Sequence, residues 1–112
     1  MTKSIVPYAS FDALDLRLGR VTDVAIANTK KLTYRLTIDF GPEIGTRVSC
    51  AGVRNYQPDE LLGRQVICVM NLGEKKMGPE VSQVLVLGVP NDAGETIILT
   101  PERPVREGVA VF

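Results

Sequence analysis

Apolar and polar residues alternate without a break from Leu32 to Phe40. Leu32, Tyr34, Leu36, Ile38 and Phe40 are apolar, and Thr33, Arg35, Thr37 and Asp39 stand between them. A period of two is that of a β-strand with one buried and one wet face. The stretch from Leu14 to Ile26 repeats the pattern. Leu14, Leu16, Leu18, Val24 and Ile26 fall on one parity, and Asp15, Arg17 and Asp23 on the other. Gly19 interrupts this run and predicts a bulge or bend, the device by which a long strand curls into a barrel. Arg47 to Val53 reads as a shorter, weaker strand. Gln65–Leu72 and Gln83–Val89 are nearly continuous apolar runs, rich in Val and Ile and bounded by Gly, Pro and Asn. Their length and composition fit buried strands. Thr96–Thr100 is one more short strand, and residues 40–45 and 90–94 supply turns.

One helix is predicted between the third and fourth strands. Pro58 suits the first helical position, Asp59 and Glu60 suit the positive end of the dipole, and Gly63 suits the residue past the end. The expectation is an all-β OB-fold barrel of five or six strands with one short helix and flanking terminal segments. A β-sandwich is the competing arrangement.

Composition narrows the function. The 112 residues suit one domain, 1–112. Thirteen Lys and Arg balance thirteen Asp and Glu, so no global basic field exists and any phosphate binding must come from a local cluster. There is no histidine. That removes the commonest general base, the Ser-His and Cys-His dyads and every imidazole ligand. Cys50 and Cys68 lie in apolar strand-like runs and fit no CxxC pattern. They read as buried reduced thiols, with a cross-strand disulfide as the alternative. No cofactor and no catalytic constellation is expected. The first residues lack the apolar core of a signal peptide, and no segment approaches the ~20 apolar residues of a membrane span. A soluble, cytoplasmic protein is expected.

Two basic groups are candidates for binding. Lys75 and Lys76 occupy NLGEKKMGPEVS, a segment punctuated by Gly73, Gly78 and Pro79 between two buried strands. Loops on a rigid scaffold concentrate binding residues. Two ammonium groups suit phosphates, and the Asn71 amide and Ser82 hydroxyl suit backbone or sugar oxygens. The competing reading is a solvated turn with ordinary charges. Arg17, Arg35 and, less securely, Arg47 fall on the outward parity and would extend that surface. Asp15, Asp23 and Asp39 share the parity, so cross-strand ion pairing is an equal alternative. Tyr34 and Phe40 are on the core parity, and Tyr8, Phe11 and Tyr56 read as packing residues. Few rings are left to stack on bases, so RNA would be gripped by its backbone and shape. The apolar ends, IVPYASF and VREGVAVF, either pack on the barrel or join a second subunit, and a twofold dimer is favoured.

These residues resemble a family. LDLRLGRV at 14–21, YQPDELLGRQV at 56–66 and NLGEKKM at 71–77 before Ser82 resemble the tRNA-binding domain found at the C-terminus of methionyl-tRNA synthetases and in stand-alone proteins. IDFGPEIG at 38–45 and SQVLVLG at 82–88 resemble the stand-alone CsaA type. The resemblance implies an OB-fold homodimer with its terminal segments at the interface. It implies tRNA binding through the strand face and the loop after the fourth strand. On matching positions it implies Asn71, Lys75, Lys76 and Ser82, with Arg17 and Arg35 beside them. For the CsaA type it also implies an export-linked chaperone that binds unfolded or presecretory polypeptides. The fold alone does not choose between these classes. An assembly module for a synthetase is a third, weaker expectation. Four features depart from the family pattern: Val81 stands where relatives often carry a basic residue, the loop glycine is Gly78, followed by Pro79, where many relatives have it slightly later, Glu80 adds an acid near the serine, and Ser49-Cys50-Ala51-Gly52 stands where the family usually has Ser-Gly.

Overall fold

The computed structural model describes residues 1–112. In chain order the elements are α1 (Tyr8–Asp12), β1 (Leu16–Ile26), β2 (Tyr34–Asp39), β3 (Thr46–Ala51), α2 (Pro58–Leu61), β4 (Gln65–Val69), β5 (Lys75–Met77), β6 (Glu80–Ser82), β7 (Leu85–Val86), β8 (Gly88–Pro90) and β9 (Thr96–Ile98). The main sheet has the order β3-β2-β1-β4-β7, with every pair antiparallel. β1 serves two neighbours. Its first half pairs with β4, and its second half pairs with β2.

The sheet then curls back on itself. The Gln83 N–H donates to the Val48 carbonyl at 2.7 Å, and the Val48 N–H donates to Gln83 Oε1 at 2.9 Å. The Cys50 N–H donates to Ser82 Oγ at 3.0 Å. These bonds join β3 to the segment ahead of β7 and give a nearly closed five-stranded barrel. The all-β OB-like expectation is borne out.

The alternation in β2 places Tyr34, Leu36, Ile38 and Phe40 in the core, as the sequence predicts. Around them pack Val21, Val53, Leu61, Val66, Cys68, Val84 and Ile98. α2 plugs the barrel with Leu61. Its N-terminus is fastened by a capping box in which the Gln57 N–H donates to Glu60 Oε1 at 2.7 Å. Pro58 and Gly63 take the positions expected of them at its two ends.

β1 differs from the expectation in a way that matters below. Its bulge lies at Thr22, between the paired residues Val21 and Asp23, rather than at Gly19. Before the bulge, Gly19 and Val21 face the core; after it, Val24 packs against the core and Ile26 is exposed. Gly19 is where the strand meets the core most closely. A Cβ there would collide with the Ile38 side chain and come within 2.7 Å of the Phe40 ring. Leu16 and Leu18 therefore lie on the outer face. They are buried nonetheless, beside the C-terminal segment, which runs along β1 through Leu18 N–H to the Val109 carbonyl and Val111 N–H to the Leu16 carbonyl.

Other boundaries also shift. The 83–89 run is divided between β7 and β8, because β8 turns away to pair with β9. A second helix, α1, precedes the barrel. It is too short to show a helical period, and it buries none of its residues. The Tyr8 and Phe11 rings meet at a tilt of 54° with centroids 5.9 Å apart, and both are exposed, so they do not pack on the barrel as their apolar character suggests. Cys50 and Cys68 are both free thiols. Burial pushes the Cys68 thiol up to about 12.

Candidate nucleic-acid interface

The segment after β4 is a hairpin. β5 and β6 pair antiparallel with Lys75 opposite Ser82, Lys76 opposite Val81 and Met77 opposite Glu80. Gly78, at φ +66°, and Pro79 make the turn. The Gly78 conformation is one that a side chain rarely adopts, which is why glycine stands there. Lys75 and Lys76 are exposed, and neither takes part in an ion pair. Their charge is free for a ligand.

The polar residues expected beside them already have partners. Ser82 is buried; its Oγ accepts the Cys50 N–H and lies 3.3 Å from the Val84 carbonyl, to which it donates. Asn71 uses both ends of its amide. Oδ1 accepts the Asp15 N–H at 2.8 Å, and Nδ2 donates to the Ala13 carbonyl at 2.8 Å. The two side chains brace the scaffold that carries the lysines.

Arg35 lies on the outer face of β2, opposite Cys50. Its Nη1 donates to both carboxylate oxygens of Glu80 at 3.0 Å. Glu80 Oε2 also accepts the Asn28 N–H at 3.0 Å. These bonds hold the Glu80 carboxyl below the usual carboxylate range, the Asn28 N–H contributing most and Arg35 next. The pairing carboxylate raises Arg35 in turn. Cys50 is half-buried, and partial desolvation pushes its thiol up.

Arg17 is elsewhere. Its partner on β4 is Cys68, a core residue, so Arg17 follows the inward parity and sits at the barrel mouth rather than on the outer face. Its Nε donates to Asp15 at 2.7 Å and its Nη1 to the Gly108 carbonyl at 3.0 Å. Arg47 is opposite Ile38, likewise on the inward parity, and donates to the Ile44 and Thr46 carbonyls. The outward placing of Arg17 and Arg47 is thus corrected. Lys75, Ser82 and Glu80, the partner of Arg35, share one face of the hairpin, and Lys76 stands on its other face opposite Val81. Asn71 and Arg17 belong to a second group around Asp15.

Sequence reasoning passed over Lys30 and Lys31. They stand exposed in the connection between β1 and β2, and that connection is fastened to the hairpin at Asn28. A second Lys-Lys pair was a visible signal, but nothing local relates it to residue 80. Next to the hairpin, a cavity of about 340 Å³ is lined by Cys50, Leu72, Lys75, Met77, Val84 and Leu85 among others. No three His, Cys, Asp or Glu side chains are grouped to hold a metal ion.

A family model described as "Putative tRNA binding domain" matches residues 16–110. The chain belongs to this tRNA-binding domain family. Methionine–tRNA ligase of Pyrococcus furiosus is 35% identical over 107 residues, which cover 95% of this chain and 14% of that enzyme. The chain thus spans about one seventh of the curated relatives it matches. Two solved structures are similar over their whole length. Chaperone CsaA from Bacillus anthracis is 33% identical with a TM-score of 0.91, covering 97% of this chain and 100% of its own. The CsaA chaperone protein from Picrophilus torridus is 33% identical with a TM-score of 0.92, covering 96% and 100%. For this family member, the barrel and the hairpin after its fourth strand are a shared frame.

Proposed function

We propose that this protein binds tRNA as a non-catalytic module, with Lys75 and Lys76 as its main phosphate contacts. The observation that carries the reading is the unpaired Lys75–Lys76 pair, held on a short rigid hairpin in a member of a tRNA-binding family. Arg35 flanks the surface with its charge matched by Glu80, while Ser82 and Asn71 hold its frame. Arg17, at the barrel mouth, contributes by ordering that end of β1. With few exposed rings near the hairpin, recognition is of backbone and shape rather than base sequence. A cytoplasmic location accompanies this ligand.

A homodimer completes the proposal. Ile5, Val6, Tyr8, Leu14 and Phe112 leave a large apolar surface exposed at the two ends of the chain. Apolar area of this kind is characteristic of association. The occupant proposed for it is a second copy.

Anisotropy titration of unfractionated tRNA over a range of salt tests the RNA reading. Lys75→Ala/Lys76→Ala is expected to weaken binding and to lower the slope of log K against log salt by roughly 1.5, since each lost phosphate contact removes about 0.7–0.9. No wild-type binding at low salt would refute tRNA as the ligand, and an unchanged double variant would refute the hairpin.

A second reading is a chaperone for unfolded polypeptides. The cavity beside the hairpin meets a second one, of about 270 Å³, at Cys50 and Leu85. Together they offer an apolar floor, with Leu72, Met77, Val84, Val86 and Val53, beside a basic rim. The likeness to CsaA chaperones supports this use. Suppression of aggregation of an unfolded client, with competition by tRNA, distinguishes the two.

A further inference from the structure

Glu80 is an acid in the middle of a basic hairpin, where it would ordinarily repel phosphate. Its bonds explain why it does not. Both carboxylate oxygens are taken, by the Arg35 guanidinium and the Asn28 N–H, and its side chain is only 11% exposed. The Glu80 and Arg35 charges cancel, so the surrounding surface keeps the charge of its lysines, offset in part by the exposed Glu74 beside Lys75.

The same bonds join two loops that are distant in sequence. Asn28 belongs to the β1–β2 connection, and Glu80 begins the return strand of the hairpin. The loop around Asn28 is braced within itself. The Ala27 N–H donates to the Thr33 carbonyl at 3.2 Å, the Thr29 hydroxyl donates to the Lys31 carbonyl at 2.5 Å, and the Thr29 and Thr33 hydroxyls are 2.6 Å apart. Gly78 also abuts this loop, with a Cβ position 3.7 Å from the Asn28 carbonyl oxygen. Lys30 follows Asn28 by two residues, and Lys76 precedes Gly78 by two. Each lysine is therefore within about 7 Å of chain from the junction, at ~3.3 Å per residue. All four of Lys30, Lys31, Lys75 and Lys76 are outside any ion pair.

We propose that Glu80 is a positioning residue that clasps the β1–β2 loop to the hairpin, so that Lys30 and Lys31 stand beside the hairpin whose two faces carry Lys75 and Lys76, and successive phosphates of an RNA backbone run across both loops. The proposal rests on the tRNA reading above and adds to it the Lys30–Lys31 pair and the clasp. Four ammonium groups on two loops suit a run of phosphates better than a single anion. The absence of exposed rings between the loops suits a backbone better than bases.

Unfractionated tRNA is titrated by anisotropy at several salt concentrations against wild type and Lys75→Ala/Lys76→Ala. Five further proteins follow: Lys30→Ala/Lys31→Ala, then Glu80→Ala and Glu80→Gln, each alone and combined with Lys30→Ala/Lys31→Ala. Circular dichroism melting confirms that each is folded at the assay temperature. Lys30→Ala/Lys31→Ala is expected to weaken binding several-fold and to lower the salt slope by roughly 1.5. In the Glu80→Ala background the same pair should cost much less, because the loop is no longer held beside the hairpin. Glu80→Gln keeps an oxygen for the Asn28 N–H and should restore most of the cost. If Glu80→Ala is unfolded, Glu80→Thr, a good strand former too short to reach the Asn28 N–H, takes its place in the comparison.

A Lys30→Ala/Lys31→Ala protein with wild-type affinity and slope, alongside a weakened Lys75→Ala/Lys76→Ala, would overturn the joint surface. An equal cost with and without Glu80 would overturn the clasp. If wild type fails to bind at low salt, the tRNA reading falls and the surface with it, a result that differs from the others because every variant is equally silent.

Discussion

At Gly19, β1 comes so close to Ile38 and Phe40 that even one carbon does not fit. Phe40 is nearly fully buried and has no path to yield. Gly19→Ala is therefore expected to destabilise the barrel by about 1–3 kcal/mol, the usual cost of overpacking. Urea denaturation measures it, and an unchanged midpoint would contradict the close approach. Glu80 and Glu107 supply the second residue-scale prediction. Both carboxyls are held below the ordinary range, Glu80 by Asn28 and then Arg35, Glu107 by Arg20 and then Gln65. A carboxylate depressed in the folded state stabilises it above the unfolded pKa, about 4.3, and that stability is lost as pH falls through the folded value. Stability should thus fall on acidification below about pH 4.5, and Glu80→Gln should make the fall shallower but not abolish it, since Glu107 remains. A steeper acid limb in the variant would contradict this. At this scale the core was readable in the sequence where alternation was unbroken, as in Tyr34, Leu36, Ile38 and Phe40. Arg17 was not readable. Its side depends on the bulge at Thr22 and on pairing with Cys68, a residue 51 positions along the chain.

Among the elements, the long strands and α2 were legible because each carries its own signal: a period of two, or a proline start with a capping box. The hairpin was legible only as a basic loop. β5 and β6 have three residues each, too few to show a period, and they exist because they pair with each other and dock through Glu80. The split between β7 and β8 was hidden for a similar reason, since a continuous apolar run does not tell where a chain changes partner. The lysine pair of the candidate site was therefore visible in advance, but its neighbours were not. Residue type and the family resemblance both point to Asn71 and Ser82 as ligand groups. The hydrogen bonds that occupy them involve Ala13, Asp15 and Cys50, far away in sequence.

For the whole molecule, zero formal net charge conceals a local arrangement in which some cations are paired and others free. Arg17, Arg20, Arg35 and Arg103 each face a carboxylate, whereas the four lysines of the two loops do not. Lys3, Arg47, Arg54, Arg64 and Arg106 are also outside any ion pair, so the four lysines are distinguished by their grouping on two joined loops. With zero net charge and few phosphate contacts, a moderate salt dependence is predicted. The exposed apolar ends carry the prediction for assembly. Static light scattering is expected to give twice the chain mass, and Tyr8→Ala/Phe11→Ala should shift the protein towards the single-chain mass. A monomeric wild type would refute the dimer.

The central claim is that RNA backbone, not unfolded protein, is the preferred partner of the hairpin face. Its most direct test compares the dissociation constants of unfractionated tRNA and of a permanently unfolded polypeptide at one physiological salt concentration. The account predicts tighter binding of tRNA, with tRNA displacing the polypeptide and Lys75→Ala/Lys76→Ala weakening chiefly the RNA. Tight binding of the polypeptide, with tRNA unable to bind or displace it, would contradict the account and leave the chaperone reading in its place.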